Sequence, residues 1–250
     1  MNSMSQPERN RLMNWKRLLY RPLASLFNRL LSLLHKGEPF HFSREDIRWM
    51  NFSFSQLGED LALQIYVRSL HLQRGFYVDA GAYHPQHFSN TLLLHTQGWS
   101  GVNIDISPEK IALFQEHRPH DLNVQAWLSD KEEEVQYLSR NTPIDRILTP
   151  GETVDDADRP YLKPARTATL TQVLERHGVA PRPIDYLNID CEGHDLAVLQ
   201  GLDLTRYPVR MLTIEALDAA AESQIIAYAQ THGFEFKQKL FLTLFFIRSV

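Results

Sequence analysis

Cysteine is nearly absent from this sequence, since Cys191 is the only one among 250 residues. An internal disulfide therefore cannot form within the chain, and no cysteine-based zinc spacing is present. A reducing compartment is compatible with this composition. We accordingly expect a cytoplasmic protein.

The sequence also lacks long apolar runs and a strong net charge. No run reaches the roughly 18 uncharged apolar residues that indicate a membrane-spanning helix, and no secretory signal is predicted, because Arg21 and Arg29 interrupt the N-terminal apolar stretch. The formal net charge is only −4, so charge does not indicate nucleic acid as a partner.

Acidic residues are missing from Arg9 to Lys36, where seven residues are basic and leucines recur at steps of three, four and seven. This pattern predicts a basic amphipathic helix that Pro22 kinks or divides. Three interpretations remain open. The helix could lie peripherally on the anionic inner face of a membrane, it could pack against the core or a second copy in a homo-oligomer, or the segment could be disordered.

The rest of the chain alternates short apolar runs with helical patterns, which indicates a mostly parallel, doubly wound α/β sheet. We predict an N-terminal segment over residues 1–51 and one α/β domain over residues 52–250. Seven strands are predicted, and the last two form an antiparallel hairpin. They are Phe76–Ala80, Val102–Asp105, Asn123–Leu128, Ile184–Ile189, Val209–Glu215, Phe234–Lys237 and Phe241–Ile247.

Two further segments frame this domain. Ser55–Leu72 has helical spacing, and its polar start is explained either by capping or by a functional role. The alternation of strands and helices lapses between Lys131 and Arg166. Residues 131–168 are therefore predicted to be an insertion that forms a binding loop on the side of the site where the acceptor substrate binds.

Five predicted strands end in or are followed by an acid, and ligands of open parallel sheets bind at these carboxyl ends. These acids are Asp79, Asp105, Asp130, Asp190 and Glu215. Each could cap a helix, but five together, with Glu192 and His194 following the fourth strand, indicate a site.

The turn Asp79-Ala80-Gly81-Ala82 lacks the full glycine pattern that binds a pyrophosphate, and the chain has no Walker lysine. Both absences argue against NAD and ATP. S-adenosylmethionine fits better, because it carries an adenosine without phosphates and its sulfonium tolerates nearby carboxylates.

Five segments in this order resemble the FkbM family of S-adenosylmethionine-dependent methyltransferases, over roughly residues 55–216. They are SQLGEDL, GFYVDAGAYHPQHFSNT, GWSGVNIDISP, ATLTQVLERHG and IDYLNIDCEGHDLAVLQGL. The resemblance implies a Rossmann-like class I methyltransferase sheet and O-methylation of a hydroxyl on a saccharide, glycolipid or natural-product acceptor. Asp105 departs from the family, since many relatives have glutamate there.

The resemblance also implies roles for individual residues. Asp79, Gly81 and Ala82 would lie beside the methionine portion of the cofactor, Asp105 would bind the ribose, and Ser129 with Asp130 would border the adenine. Gln56, Ser89 and Asn90 would bind the amino-acid end of the cofactor.

Asp190, Glu192 and His194 are the predicted catalytic residues, because a sugar hydroxyl is a weak nucleophile that a positioned base activates. Structural roles for Glu192 and His194 remain open, and His84 and His87 are further candidates for the base. A divalent metal on the Asp190 and Glu192 carboxylates is compatible with the pattern, but we do not predict one. The alternative to an enzyme is a membrane-associated binding module that keeps the fold without turnover.

Overall fold

The computed structural model describes residues 50–140, 142, 145–148 and 152–248, together with residues 26, 29, 43, 45 and 46. The chain divides into two compact units, Met1–Phe52 and Ser53–Val250. In the first unit, Leu26 and Arg29 are helical, and the rest of the predicted amphipathic helix lies outside the described residues. No helix in the described part of the chain is both long and apolar enough to cross a bilayer.

The second unit alternates strands and helices, as the sequence predicts. Its helices are α1 (Glu59–Ser69), α2 (Leu92–Thr96), α3 (Pro108–His117), α4 (Leu170–Arg176), α5 (Asp195–Gln200) and α6 (Ala219–Thr231), with a short 3-10 helix at Arg159–Tyr161. Its strands are β1 (Phe76–Ala80), β2 (Ser100–Asp105), β3 (Leu122–Gln125), β4 (Trp127–Leu128), β5 (Glu134–Leu138), β6 (Arg146–Ile147), β7 (Leu162–Ala168), β8 (Ile184–Ile189), β9 (Val209–Glu215), β10 (Phe234–Leu240) and β11 (Thr243–Arg248).

The main sheet has the strand order β10-β11-β9-β8-β1-β2-β3. Strands β3, β2, β1, β8 and β9 are parallel, whereas β11 runs antiparallel to both β9 and β10. The predicted mixed α/β class with a large, mostly parallel sheet is therefore confirmed. The chain leaves β1 toward β2 on one side and later returns as β8 on the other, so the carboxyl ends of β1 and β8 flank a topological switch point.

The central strands are apolar and buried on both faces, as is usual for parallel sheets covered by helices. All five residues of β1 are buried, including Asp79. Three helices in the described part of the chain, α3, α4 and α6, begin with a side-chain cap. Ser107 accepts a hydrogen bond from the Lys110 backbone N–H with Pro108 in the first turn, and Thr169 forms a capping box with Gln172.

The structure differs from the sequence prediction in the insertion, which forms strands instead of a loop. The predicted strand Asn123–Leu128 divides at Ala126, so β3 stays in the main sheet while β4 pairs with β7. The order of this second sheet is β4-β7-β5-β6. Its β5 and β7 mix exposed, half-buried and buried residues without regular alternation, which weakens the apolar pattern by which strands are recognised in a sequence.

The predicted helix Ser55–Leu72 is shorter than expected, and the helix after β1 is also short. Helix α1 starts at Glu59 and not at Ser55, because the Asp60 carboxylate accepts hydrogen bonds from the Phe54 backbone N–H (2.8 Å) and the Ser55 hydroxyl (2.9 Å), which hold the preceding residues in a turn. Helix α2 begins only at Leu92, where the Ser89 hydroxyl accepts a hydrogen bond from the Leu92 backbone N–H.

Candidate functional site

A cavity of about 430 Å³ opens at the carboxyl ends of the parallel strands. Its volume falls in the usual range of small-molecule sites. Nine of the twelve residues predicted from the sequence line it: Gln56, Asp79, Gly81, Ala82, Asn90, Asp105, Asp190, Glu192 and His194. Ser89, Ser129 and Asp130 do not line it.

Asp79 lies in β1 at the base of the cavity and is 2% exposed. Its carboxylate accepts hydrogen bonds from the Thr91 hydroxyl (2.7 Å) and from the Asn188 side-chain amide (2.9 Å). Burial raises the pKa of Asp79, and the two hydrogen bonds oppose that shift. Asn188 also accepts from the Asn90 amide (3.1 Å), so Asp79 organises the β1 and β8 ends as well as facing the cavity.

Ser89 belongs to the support of the site. It is 1% exposed, and its hydroxyl accepts a hydrogen bond from Arg118 (2.9 Å). The buried Arg118 guanidinium also donates to the Thr91 hydroxyl (2.8 Å) and to the Pro85 carbonyl. Arg118 therefore anchors the segment between β1 and α2. The sequence analysis missed it, because it follows α3 without any motif.

Gly81 has a φ of +80°, and a Cβ placed on it would lie 1.7 Å from the Asp190 carbonyl oxygen. The family resemblance implies that this turn lies beside the methionine portion of the cofactor. In the structure the close approach is to the backbone of Asp190, so glycine permits the β1 and β8 ends to meet.

Asp105 ends β2 and is 6% exposed. It accepts hydrogen bonds from the backbone N–H groups of Tyr83 and Ser107, both at 2.9 Å. Burial raises its pKa, and the charge of Lys110, whose ammonium lies 3.9 Å away, opposes this shift. A carboxylate has about four acceptor positions, so Asp105 can still accept further hydrogen bonds from the cavity.

A cluster of three carboxyl groups lies at the ends of β8 and β9. One oxygen from each of Asp190, Glu192 and Glu215 lies within 4.8 Å of the others. Burial and the neighbouring carboxylates raise the pKa of Asp190 well above its ordinary value and that of Glu215 to about 7. The cluster therefore retains a proton near neutral pH. Three oxygen ligands could alternatively hold a divalent cation.

Asp195 shapes the loop that carries two of the predicted catalytic residues. Its buried carboxylate accepts from the backbone N–H groups of Cys191 (2.8 Å) and Gly193 (2.9 Å), and burial raises its pKa to about 6. The resulting turn holds Glu192 at a φ of 51°. Burial raises the pKa of Glu192 and lowers the pKa of His194, so His194 is neutral near pH 7 and able to accept a proton.

The insertion contributes one wall of the cavity through Asp145, Arg146 and Ile147. Arg146 forms an ion pair with Glu152. The Lys110 ammonium, which also lines the cavity, donates to the Thr142 carbonyl (2.7 Å) and lies 4.6 Å from the centre of the Tyr83 ring. Neither cation belongs to a motif, so only the fold reveals their position.

Ser129 and Asp130 lie next to the cavity wall. Ser129 is 4% exposed, its backbone N–H donates to the Ala168 carbonyl (3.1 Å), and its hydroxyl donates to Asp130 (3.1 Å). Ala126 and Leu128 line the cavity in this region. The wall beyond the end of β3 is consequently apolar.

The methyltransferase FkbM domain model matches residues 79–236, which is well over half of the chain. Among solved structures, one similar chain is a targeted domain from Corynebacterium diphtheriae assigned as a precorrin-6Y C5,15-methyltransferase. It has 12% sequence identity and a TM-score of 0.35, and the match covers 75% of this chain and 99% of that one. No curated protein matched the sequence significantly. By the family match, the chain belongs to the FkbM methyltransferase family, and it is a methyltransferase.

Proposed function

We propose that the protein is an S-adenosylmethionine-dependent O-methyltransferase that acts on a hydroxyl of a saccharide, glycolipid or related natural product. One observation carries the proposal: a single cavity is lined both by Asp105 at the end of β2 and by a carboxyl cluster with a neighbouring neutral histidine. The first group suits a ribose, and the second suits proton transfer from an acceptor hydroxyl.

The residues present fit S-adenosylmethionine. Asp105 would accept hydrogen bonds from the ribose hydroxyls, while Ile104, Ala126 and Leu128 offer apolar surface for an adenine. Gln56 and Asn90 would bind the amino-acid end. Asp79 and Asp190 also line the cavity, and carboxyl groups suit a cofactor with a positive charge.

Bound S-adenosylmethionine supplies an electrophilic methyl group, and the protein must orient the acceptor oxygen in line with it and exclude water. The O–CH₃ bond would form as the S–CH₃ bond breaks, and a base of the protein would accept the hydroxyl proton. The leaving thioether would be neutral and would need no proton.

Glu192 is the preferred base. Burial and the charge of Glu215 raise the pKa of Asp190 well above its ordinary value, which favours its protonated, hydrogen-bond-donating form over a role as the base. The pKa of Glu192 is raised by its partial burial, but the nearby Arg146 and Lys110 charges oppose that shift. A carboxylate with a moderately raised pKa is a stronger base than an exposed one. The neutral His194 is the second candidate.

Calorimetry with S-adenosylmethionine and with NAD tests the cofactor, and we expect only the former to bind. Asp105→Asn should weaken that binding by about tenfold or more, as expected for the loss of a hydrogen bond to a charged group. Formation of S-adenosylhomocysteine should then be assayed against a panel of glycans and glycosides. Tight cofactor binding without turnover on any acceptor in the cell would favour the non-catalytic binding module.

A further inference from the structure

Three exposed apolar side chains line the cavity. Phe88 is 53% exposed, Leu217 is 46% exposed and Phe241 is 64% exposed. Side chains that line a cavity and are about half exposed lie where it opens to solvent. We call these three residues the apolar rim. Exposed apolar surface beside a cavity is typical of a ligand-binding site.

The rim residues come from three separate, anchored parts of the fold. Phe88 lies between β1 and α2, Leu217 follows β9, and Phe241 lies in the turn between β10 and β11. The Ala216 backbone N–H donates to the Leu242 carbonyl (2.9 Å), and the Ser89 backbone N–H donates to the Phe54 carbonyl (2.9 Å). Hydrogen bonds of the neighbouring residues thus fix the backbone on which each rim side chain stands.

Backbone strain is concentrated at the same cavity. Five non-glycine residues in the described part of the chain have a positive φ, and four of them line the cavity: Tyr83, Phe88, Glu192 and Phe241. A left-handed conformation is unfavourable for a bulky aromatic residue, and such strain occurs mostly at functional sites. Phe88 and Phe241 are therefore held at the mouth at an energetic cost.

The rim has a polar counterpart in the same cavity. Asp190, Glu192 and His194 line the cavity together with the rim. A molecule that fills the cavity consequently meets hydrogen-bonding groups in one part and apolar surface in another.

We infer that the acceptor is amphipathic: it carries an alkyl chain near the hydroxyl that is methylated, and the apolar rim binds that chain. An alkyl chain suits the rim better than an aromatic ring. The Phe88 ring already stacks on Tyr83, with centroids 6.1 Å apart and an interplanar angle of 18°, and Leu217 is aliphatic. The inference narrows the acceptor of the proposed function and rests on it.

The inference can be tested on the full-length protein with glucosides that share the same sugar and differ only in the group attached to it. We expect hexyl glucoside to bind at least about tenfold more tightly than methyl glucoside, because each buried methylene adds to the affinity. Calorimetry should be run both with and without S-adenosylhomocysteine. Phenyl glucoside is the third ligand, and it should bind more weakly than hexyl glucoside.

Phe241→Ala and Leu217→Ala should each reduce the hexyl-to-methyl affinity ratio to about threefold or less, while the affinity for S-adenosylhomocysteine is unchanged. Ile65→Ala is the matched control, since Ile65 is 63% exposed on α1 and does not line the cavity. It should leave the ratio as it is in the wild type.

Equal affinities for the methyl and hexyl glucosides would overturn the inference, as would undetectable binding of hexyl glucoside. Phenyl glucoside binding as tightly as hexyl glucoside, or an Ile65→Ala effect as large as that of Phe241→Ala, would do the same. A failure of the proposed function would appear separately, as absent binding of S-adenosylhomocysteine. The two failures can be told apart because the ratio of the hexyl and methyl glucoside affinities is also measured without S-adenosylhomocysteine.

Discussion

Asp190 follows β8 and Glu215 ends the neighbouring parallel strand β9, and one carboxyl oxygen of each lies within 4.8 Å of the other. The parallel pairing of β8 with β9 forces the two acids to the same edge of the sheet. Like charges so close together cannot both ionise readily, so the pair holds its proton at higher pH than an isolated carboxyl group would.

This shared proton predicts a pH-dependent stability. Because the pKa of Glu215 is raised from 4.5 to about 7, the native state binds a proton that the unfolded state has already released. The free energy of unfolding therefore falls as the pH rises from about 5 to about 8. After allowance for partial solvent exposure, we expect the contribution to be about 2 kcal/mol.

Glu215→Gln should flatten that dependence, because the amide neither titrates nor repels Asp190. Thermal or denaturant unfolding across the same pH range measures the effect. In Glu116→Gln, on the exposed side of α3, the free energy of unfolding should fall with pH as steeply as in the wild type. If it fell equally steeply in both variants, the carboxyl pair would not share a proton in the native state.

Glu192→Gln should lower kcat by about a hundredfold or more, since an amide cannot accept the hydroxyl proton. The dissociation constant for S-adenosylmethionine should stay within about twofold of the wild-type value. Single-turnover assays with calorimetry measure both quantities. Asp190→Asn removes a hydrogen-bond donor and not the base, so it should lower kcat less than Glu192→Gln does. A fully active Glu192→Gln would contradict the assignment and point to His194 as the base.

Arg118→Ala should lower the free energy of unfolding by about 3 kcal/mol or more. The substitution removes a buried guanidinium from Thr91 and Ser89 and leaves their hydroxyls and the Pro85 carbonyl without this donor. Urea unfolding measures the loss. Arg68→Ala, at an exposed position of α1, should change stability by less than about 0.5 kcal/mol. Equal effects of the two substitutions would contradict the anchoring role.

Gly81→Ala should destabilise the turn after β1 in two ways. The new Cβ would overlap the Asp190 carbonyl oxygen, and alanine would have to adopt an unfavourable positive φ. Gly178 has a similar φ of +77°, but a Cβ at that position would have no atom within 4 Å. Gly178→Ala should therefore show the backbone cost alone, about 1 kcal/mol.

We expect Gly81→Ala to destabilise the protein by at least about 2 kcal/mol more than Gly178→Ala, because the ends of β1 and β8 must separate. Denaturant unfolding of both variants provides the comparison. If the two variants were equally stable, the contact between Gly81 and Asp190 would not be needed to close the sheet at this point.

The spacing of apolar and polar residues along the sequence accounts for much of the fold. The apolar runs that end in Asp79, Asp105 and Glu215 are strands, as predicted. The insertion could not be assigned in this way. Its strands pair mainly with one another and are half exposed, so they have neither the continuous apolar run of a buried strand nor a clean alternation.

The sequence by itself determined the alternating α/β class, the acids at the strand ends and the methyltransferase family, because these depend on residue types at short spacing. Only the tertiary structure decided which acids meet. It joined Glu215 to Asp190 and Glu192, placed Lys110 and Arg146 on the cavity wall, and assigned Ser89 to the buried contacts of Arg118. The physical reason is that strand order and register, which bring distant residues together, depend on packing across the whole sheet and not on local spacing.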